Sequence, residues 1–288
     1  MMEQLANAET YHDELQLALC LAKEAGAAIM SFYNGPLHIE QKKDAHDYEP
    51  VTQADMIAND IIVRGLARAF PDDGILAEES LDTSRRLRKD RVWMVDPLDG
   101  TNGFIDGNGD FAVQIGLAEG GACVMGVVYQ PVTGSVYHAV RGGGSWIQLG
   151  DSPPRRAQVS TNDDLQKMTL AASRSHRSPR MDQVVRALGV TREVRRGSVG
   201  VKVGLIIEQQ CDLYVHLSPR TKQWDTCAPD IILKEAGGRL TDLFGAELRY
   251  NDAEVQNRNG LVASNGLVHA ETLSTLSPVL EAFGRVPV

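Results

Sequence analysis

Asp96-Pro97-Leu98-Asp99-Gly100-Thr101 holds the residue types best suited to chemistry. It follows an apolar run, Val92-Trp93-Met94-Val95, that reads as a buried strand. Such a strand would deliver two carboxylates, three residues apart, on a stiff turn. Hard oxygen donors of this kind suit Mg²⁺, which takes a few carboxylates and keeps waters at its remaining positions. Gly100 lets the backbone approach an anion, and a helix or turn starting there would face a phosphate with the Gly100 and Thr101 amides. The same hexapeptide is also an ordinary turn, and its residue types alone do not choose between the two.

Other carboxylates carry the same ambiguity. Glu78 and Glu79 end a second short apolar run, Ile75-Leu76-Ala77. Glu78 is the one expected to turn into the site, unless both are simply solvated. Asp55 either adds a carboxylate or closes a capping box with Thr52. Trp224-Asp225 opens a predicted helix, where an Asp is favoured by capping and by the helix dipole; alternatively, Asp225 is a metal ligand from the second half of the chain. Ser173-Arg174-Ser175-His176 follows a predicted strand and reads as an anion-binding loop or an exposed one. Lys202 and the Arg195-Arg196 pair are anion contacts or solvated charges. Cys227 has no His nearby in sequence, which argues against a nucleophile. Gly142-Gly143-Gly144 lacks the Lys and Ser of a phosphate-binding P-loop and reads as a tight bend.

These groups need elements to carry them. Helices are expected over Asp13–Tyr33, from Thr52 onward, over Pro179–Leu188, Ser198–Gln209 and Asp225–Ala236, and from Leu267 to Phe283. Pro229 would then fall in its helix's first turn. Phe111–Glu119 and Ala122–Gln130 flank Gly120-Gly121 as a hairpin, with Val136–Val140 as a third antiparallel strand. Met168–Ala172, Asp212–Leu217 and Leu261–Ala263 read as further strands, and Gln41–Glu49 as a loop. Asp151–Arg156 is the expected boundary between two layered α/β halves, residues 1–155 with most of the metal ligands and 156–288 with substrate loops and Asp225.

Bulk properties narrow the field. The chain has 288 residues, enough for a sizeable core, and a net charge of -9, which disfavours nucleic acid as a partner. Four cysteines show no metal-binding spacing and are too few for a disulfide scaffold, so a reduced, cytoplasmic setting is expected. No signal peptide is read at the N-terminus, and no apolar run approaching the ~18 residues of a membrane span.

In combination, Glu78-Glu79-Ser80, Asp96-Pro-Leu-Asp-Gly-Thr101, Trp224-Asp225 and Glu235-Ala-Gly-Gly238 resemble, in order and spacing, the inositol monophosphatase superfamily. The resemblance implies an αβαβα layered sandwich with a metal site between its halves, holding two or three Mg²⁺ ions. It implies Glu78, Asp96, Asp99 and Asp225 as metal ligands through carboxylates and Leu98 through its carbonyl. Gly100 and Thr101 would meet the phosphate; Thr101 with a carboxylate, Asp55 or Glu78, would help to activate water, and Asp225 would also contact the substrate. Within the superfamily, Ser218-Pro-Arg-Thr-Lys-Gln-Trp-Asp-Thr-Cys-Ala-Pro229 looks like the 3'(2'),5'-bisphosphate nucleotidases, as do Ser173–His176 and the Gly197–Lys202 segment. That likeness implies 3'-phosphoadenosine 5'-phosphate as substrate, contacted by Ser173, Arg174, His176, Ser198 and Lys202, and sensitivity to Li⁺. Asn102-Gly103-Phe104 looks nearer to inositol or sugar monophosphatases. A non-catalytic phosphate-ligand binder of the same fold would be expected to lack a metal carboxylate. The oligomeric state is left open, a homodimer included.

Overall fold

The computed structural model describes residues 10–35, 39–44, 47–174 and 178–288. The chain opens with helix α1 (His12–Phe32), a hairpin of β1 (Ile39–Asp44) and β2 (Asp47–Thr52), and helix α2 (Gln53–Ala69). Next come β3 (Gly74–Ala77), β4 (Arg91–Asp99), the short helix α3 (Thr101–Ile105), β5 (Ala112–Glu119), β6 (Ala122–Gln130), β7 (Ser135–Val140), β8 (Gly144–Gln148) and β9 (Arg155–Arg156). These strands form one seven-stranded sheet in that order, β3 parallel to β4 and the rest an antiparallel meander. The remainder is β10 (Thr169–Ser173), α4 (Pro179–Leu188), β11 (Arg192–Arg196), α5 (Val199–Ile207), β12 (Leu213–His216), α6 (Gln223–Glu235), β13 (Arg239–Thr241), β14 (Leu261–Ser264) and α7 (His269–Ala282). Its strands make a five-stranded sheet ordered β11-β10-β12-β14-β13.

Both sheets are covered on both faces, so their strands read as continuous apolar runs rather than as alternating ones. Along β4 the alternation survives only as a choice between two cores. Trp93 and Val95 join α1 and α2 on one face, while Val92 and Met94 join α5 and α6 on the other. That second core continues into Ala171, Tyr214 and Ala263 of the five-stranded sheet. The far face of the five-stranded sheet packs against α4 and α7. The resulting layers are α1/α2, sheet, α5/α6, sheet, α4/α7, the αβαβα order expected. Paired Gly116 and Gly126 let α6 lie directly on β5 and β6, where an added Cβ would come within 2.7 Å of Cys227 Sγ or of the Ala228 backbone. The middle layer is thereby set at a fixed depth, and the N-termini of α5 and α6 face the C-terminal end of β4.

Several expectations change. Gln41–Glu49 is no loop where it is described: it falls on the β1–β2 hairpin. Its sequence is mostly polar and shows none of the apolar alternation that announces a strand. α6 begins two residues earlier than expected, which puts Pro229 inside it. The helix starts early because Asp225 stabilises it from its third position, accepting from the Lys222 N–H at 2.8 Å. The expected boundary falls on β9, which still pairs with β8. α1 is, by length and composition, long enough to cross a membrane; its Ala18, Leu21, Ala22, Ala25 and Ile29 are buried in the core with α2, as in a core helix. All four cysteines are free thiols, three of them buried.

Candidate active site

In a regular strand, residues three apart point to opposite faces. Asp96 and Asp99 escape this rule because β4 bulges between them. Asp96 pairs with Gln114 and Asp99 with Ala112, so β4 spends one more residue than β5. The bulge takes in Pro97, which has no N–H to lose, and Leu98, and both carboxylates line one cleft. Asp96 Oδ1 accepts from the Leu98 N–H at 3.0 Å, which fixes the turn. Gly100 follows at φ +99, with the Asp110 carbonyl 2.4 Å from where a Cβ would stand, so no other residue fits.

The cleft, of about 220 Å³, is lined by Glu78, Asp96, Leu98, Asp99, Gly100, Thr101, Ser173, Ser198, Lys202 and Asp225, among others. The four carboxylates come from β4, the end of β3 and the start of α6. Glu79 is absent from this lining.

Asp55 caps α2 and also reaches Thr101, while it is not among the residues that line the cleft. Its Oδ2 accepts from the Thr52 N–H at 2.7 Å and the Thr52 hydroxyl at 2.6 Å, capping α2. Its Oδ1 accepts from the Thr101 hydroxyl at 3.2 Å. Asp99 is anchored from the other half of the chain. Its Oδ2 accepts from Ser198 Oγ at 2.5 Å, from the Val199 and Gly200 amides at 2.7 and 3.1 Å, and from Gln114 Nε2 at 2.5 Å. The positive end of α5 thus meets a carboxylate.

Electrostatics sharpen the picture. Asp96 is pushed well above the ordinary carboxylate range, first by burial, then by the charges of Glu78, Asp99 and Asp225. Asp225 is raised in the same way, by burial and then by Asp99 and Glu78. Burial also raises Asp99, against the Ser198 hydrogen bond and the charge of Lys202. Lys202 is lowered to about 8 by burial, although Asp99, Asp110 and Asp225 favour its charge. Its ammonium lies 4.8 Å from the Tyr214 ring centroid.

Among the described residues no three acidic, histidine or cysteine side chains stand as a ready metal cage. The carboxylates are turned partly to protein donors: Asp96 to Leu98, Asp99 to α5, Asp225 to Lys222. They nevertheless line one space. In donor type and number the set fits Mg²⁺.

The sequence profile of the inositol monophosphatase family matches residues 11–281. This chain belongs to that family. It is therefore a phosphatase, a hydrolase of phosphate monoesters that acts on small phosphorylated substrates. Over 81% of its length it is 37% identical to the 3'(2'),5'-bisphosphate nucleotidase CysQ of Salmonella typhimurium, covering 92% of that protein. Over 92% of its length it is 32% identical to the histidinol-phosphatase of Mycobacterium tuberculosis, covering 98% of it. Its fold superposes on the Thermotoga maritima IMPase with a TM-score of 0.80 and 27% identity, over 94% of this chain and all (100%) of that one.

In this family member the expected substrate residues divide. Ser173 and Lys202 line the cleft. Ser198 also lines it, but its hydroxyl donates to Asp99 and accepts from the Val201 N–H at 3.1 Å, so it works inside the protein. Arg174 is not in the lining: its guanidinium goes to Asp110 at 2.6 Å and to the Arg195 carbonyl at 3.1 Å. His176 lies outside the described residues. Sequence reasoning missed Gln114, Asp110 and Tyr214. Gln114 left a signal, as the only amide in the apolar run Phe111–Glu119.

Proposed function

We propose that this chain is a Mg²⁺-dependent 3'(2'),5'-bisphosphate nucleotidase that converts 3'-phosphoadenosine 5'-phosphate to AMP. The observation that carries this reading is the mixed lining of the cleft. Glu78, Asp96, Asp99 and Asp225 share it with three cations, Lys202, Arg220 and Lys222, which suits a substrate with a second anionic group beyond the phosphate being removed. The 37% identity to a CysQ nucleotidase supports it. The four free cysteines fit a reduced, cytoplasmic setting.

Glu78, Asp96, Asp99 and Asp225, with the Leu98 carbonyl, would hold two or three Mg²⁺ ions. Bound there, Mg²⁺ supplies Lewis-acid polarisation of the phosphate and lowers the pKa of water. The chain's own part is positioning. The Thr101 hydroxyl, donating to Asp55 Oδ1, keeps its oxygen lone pairs to accept a proton-bearing water. Burial raises the affinity of Asp55 for a proton, against the hydrogen bonds from Thr52 and Thr101, and so equips it to take one. Gly100 and the first turn of α3 bring backbone amides to the phosphate without a side chain in the way. Lys202 would meet the second anionic group, with Ser173 on the same wall.

A second reading, an inositol or sugar-phosphate monophosphatase, is favoured by Asn102-Gly103-Phe104 after the aspartate motif and by the fold match to an IMPase. Orthophosphate release with Mg²⁺ separates them, using 3'-phosphoadenosine 5'-phosphate, inositol 1-phosphate and fructose 1,6-bisphosphate. The nucleotidase reading expects the highest kcat/KM on the first. A preference for either of the others overturns it.

A further inference from the structure

Asp110 sits in Gly107-Asn108-Gly109-Asp110, a stretch whose composition reads as a plain turn. Its side chain is nevertheless only 5% exposed. Oδ2 accepts from Arg174 Nε at 2.6 Å and from the Gly197 N–H at 3.0 Å, and Oδ1 pairs with Arg196 Nε at 3.6 Å. Its carbonyl oxygen lies under Gly100 and Gly197, within 2.4 and 2.7 Å of where their Cβ atoms would stand. One residue thus touches both the loop after the aspartate motif and the segment that starts α5.

The residue after Gly197 gives the contact its weight. Ser198 is held at φ +53, a conformation that a residue with a side chain rarely adopts, and it persists only where its surroundings impose it. On one side Asp99 draws in the Ser198 hydroxyl and the next two amides. On the other, Gly197 is gripped at both ends, its N–H by Asp110 and its carbonyl by Lys202 Nζ at 3.3 Å.

We propose that Asp110 is a positioning residue for this cleft. Its carboxylate, steadied by Arg174 and Arg196, fixes Gly197 and so holds the Ser198–Gly200 end of α5 against Asp99. Arg174 is then a brace behind the cleft wall rather than a ligand of the substrate. The kinetic part of the test rests on the phosphatase reading; the exchange part does not.

Two substitutions in the full chain test it. Asp110→Asn keeps the size and removes the charge, and Arg174→Ala removes the brace at a side chain 43% exposed. Amide hydrogen exchange across residues 192–207 should accelerate about tenfold or more at 197–200 in both variants, with the melting temperature little changed. With Mg²⁺ and p-nitrophenyl phosphate, kcat should fall about tenfold in both while KM stays within about twofold. Unchanged exchange at 197–200 in folded Asp110→Asn overturns the proposal. So does an Arg174→Ala enzyme with raised KM and normal kcat, the signature of a lost substrate contact. Should Asp110→Asn fail to fold, Arg174→Ala carries both readouts. Should the unmodified protein release no phosphate, the phosphatase reading fails and hydrogen exchange still decides the role of Asp110.

Discussion

β4 carries charge at both ends, and the two ends are balanced differently. At its first residue, Arg91 reaches Glu14 at 2.6 Å and Asp73 at 3.1 Å, and Trp93 Nε1 donates to Asp73 Oδ2 at 2.9 Å. Burial opposes the charge of Arg91, yet Glu14 and Asp73 more than restore it. At the other end, Asp96 is raised by burial and by three neighbouring carboxylates, every one of these influences pushing the same way. The first end is completed within the chain. The second leaves like charges together, Lys202 and Lys222 offsetting only part of them, which is what a candidate cation site would show and a support would not.

The comparison breaks if the two ends respond alike to the loss of charge. Asp96→Asn should lower kcat by about a thousandfold, or ~4 kcal/mol of transition-state stabilisation. It should also raise the melting temperature of the metal-free protein, because one member of a repelling group is gone. Near-normal turnover would end the assignment. Arg91→Ala should do the opposite. It leaves Glu14 and Asp73 facing each other and should cost about 2 kcal/mol of stability by denaturant unfolding, with kcat within about twofold. If its activity fell while its stability held, the two ends of β4 would not divide into support and site.

The aspartate motif at the end of β4 stood out in the sequence because its residues are adjacent. Asp96 to Thr101 form one unbroken motif, and the Thr52-Asp55 pair carries its own capping signature. The apolar runs of strand and helix length gave two layered α/β halves, and the full layer order came from the family resemblance. What stayed illegible depends on residues far apart in the chain. Nothing in Gly107–Asp110 announces that its acid will meet Arg174 and Gly197, 64 and 87 residues away. Arg174 looked like an anion ligand for the same reason, since its partner is hidden until the halves close. Ser198 caps α5 rather than opening it, and its tie to Asp99 spans 99 residues. The β1–β2 hairpin has a mostly polar sequence with no apolar alternation to announce it.

A smaller effect sharpens the functional end alone. Lys202 is buried, and only its ammonium offers the cleft wall a fixed positive charge from α5. Lys202→Ala should raise KM for 3'-phosphoadenosine 5'-phosphate about tenfold, or ~1.4 kcal/mol, and change KM for inositol 1-phosphate less. Equal effects on both esters would place the lysine at the phosphate being cleaved, not at a second one.

The smallest effect uses pH. Asp96, Asp99 and Asp225 hold their protons more tightly in the folded chain than in the unfolded one. Above the ordinary carboxylate range the folded state therefore binds more protons, and the stability of the metal-free protein should fall as pH rises toward those raised values. Asp230, raised to about 7 by burial despite its hydrogen bond from Tyr250, adds a fall of the same sign away from the cleft. Lys202, lowered to about 8, acts in the opposite direction above that pH, so the informative window lies below it. Mg²⁺ replaces protons on the cleft carboxylates and leaves Asp230 alone, so the difference between melting curves with Mg²⁺ and with chelator isolates the cleft. At about tenfold excess over its dissociation constant the ion should add ~1.4 kcal/mol near neutral pH, and clearly less near pH ~5, where protons compete. A gain independent of pH would mean that the ion binds somewhere other than these buried acids, and the contrast between the two ends of β4 would lose its chemical basis.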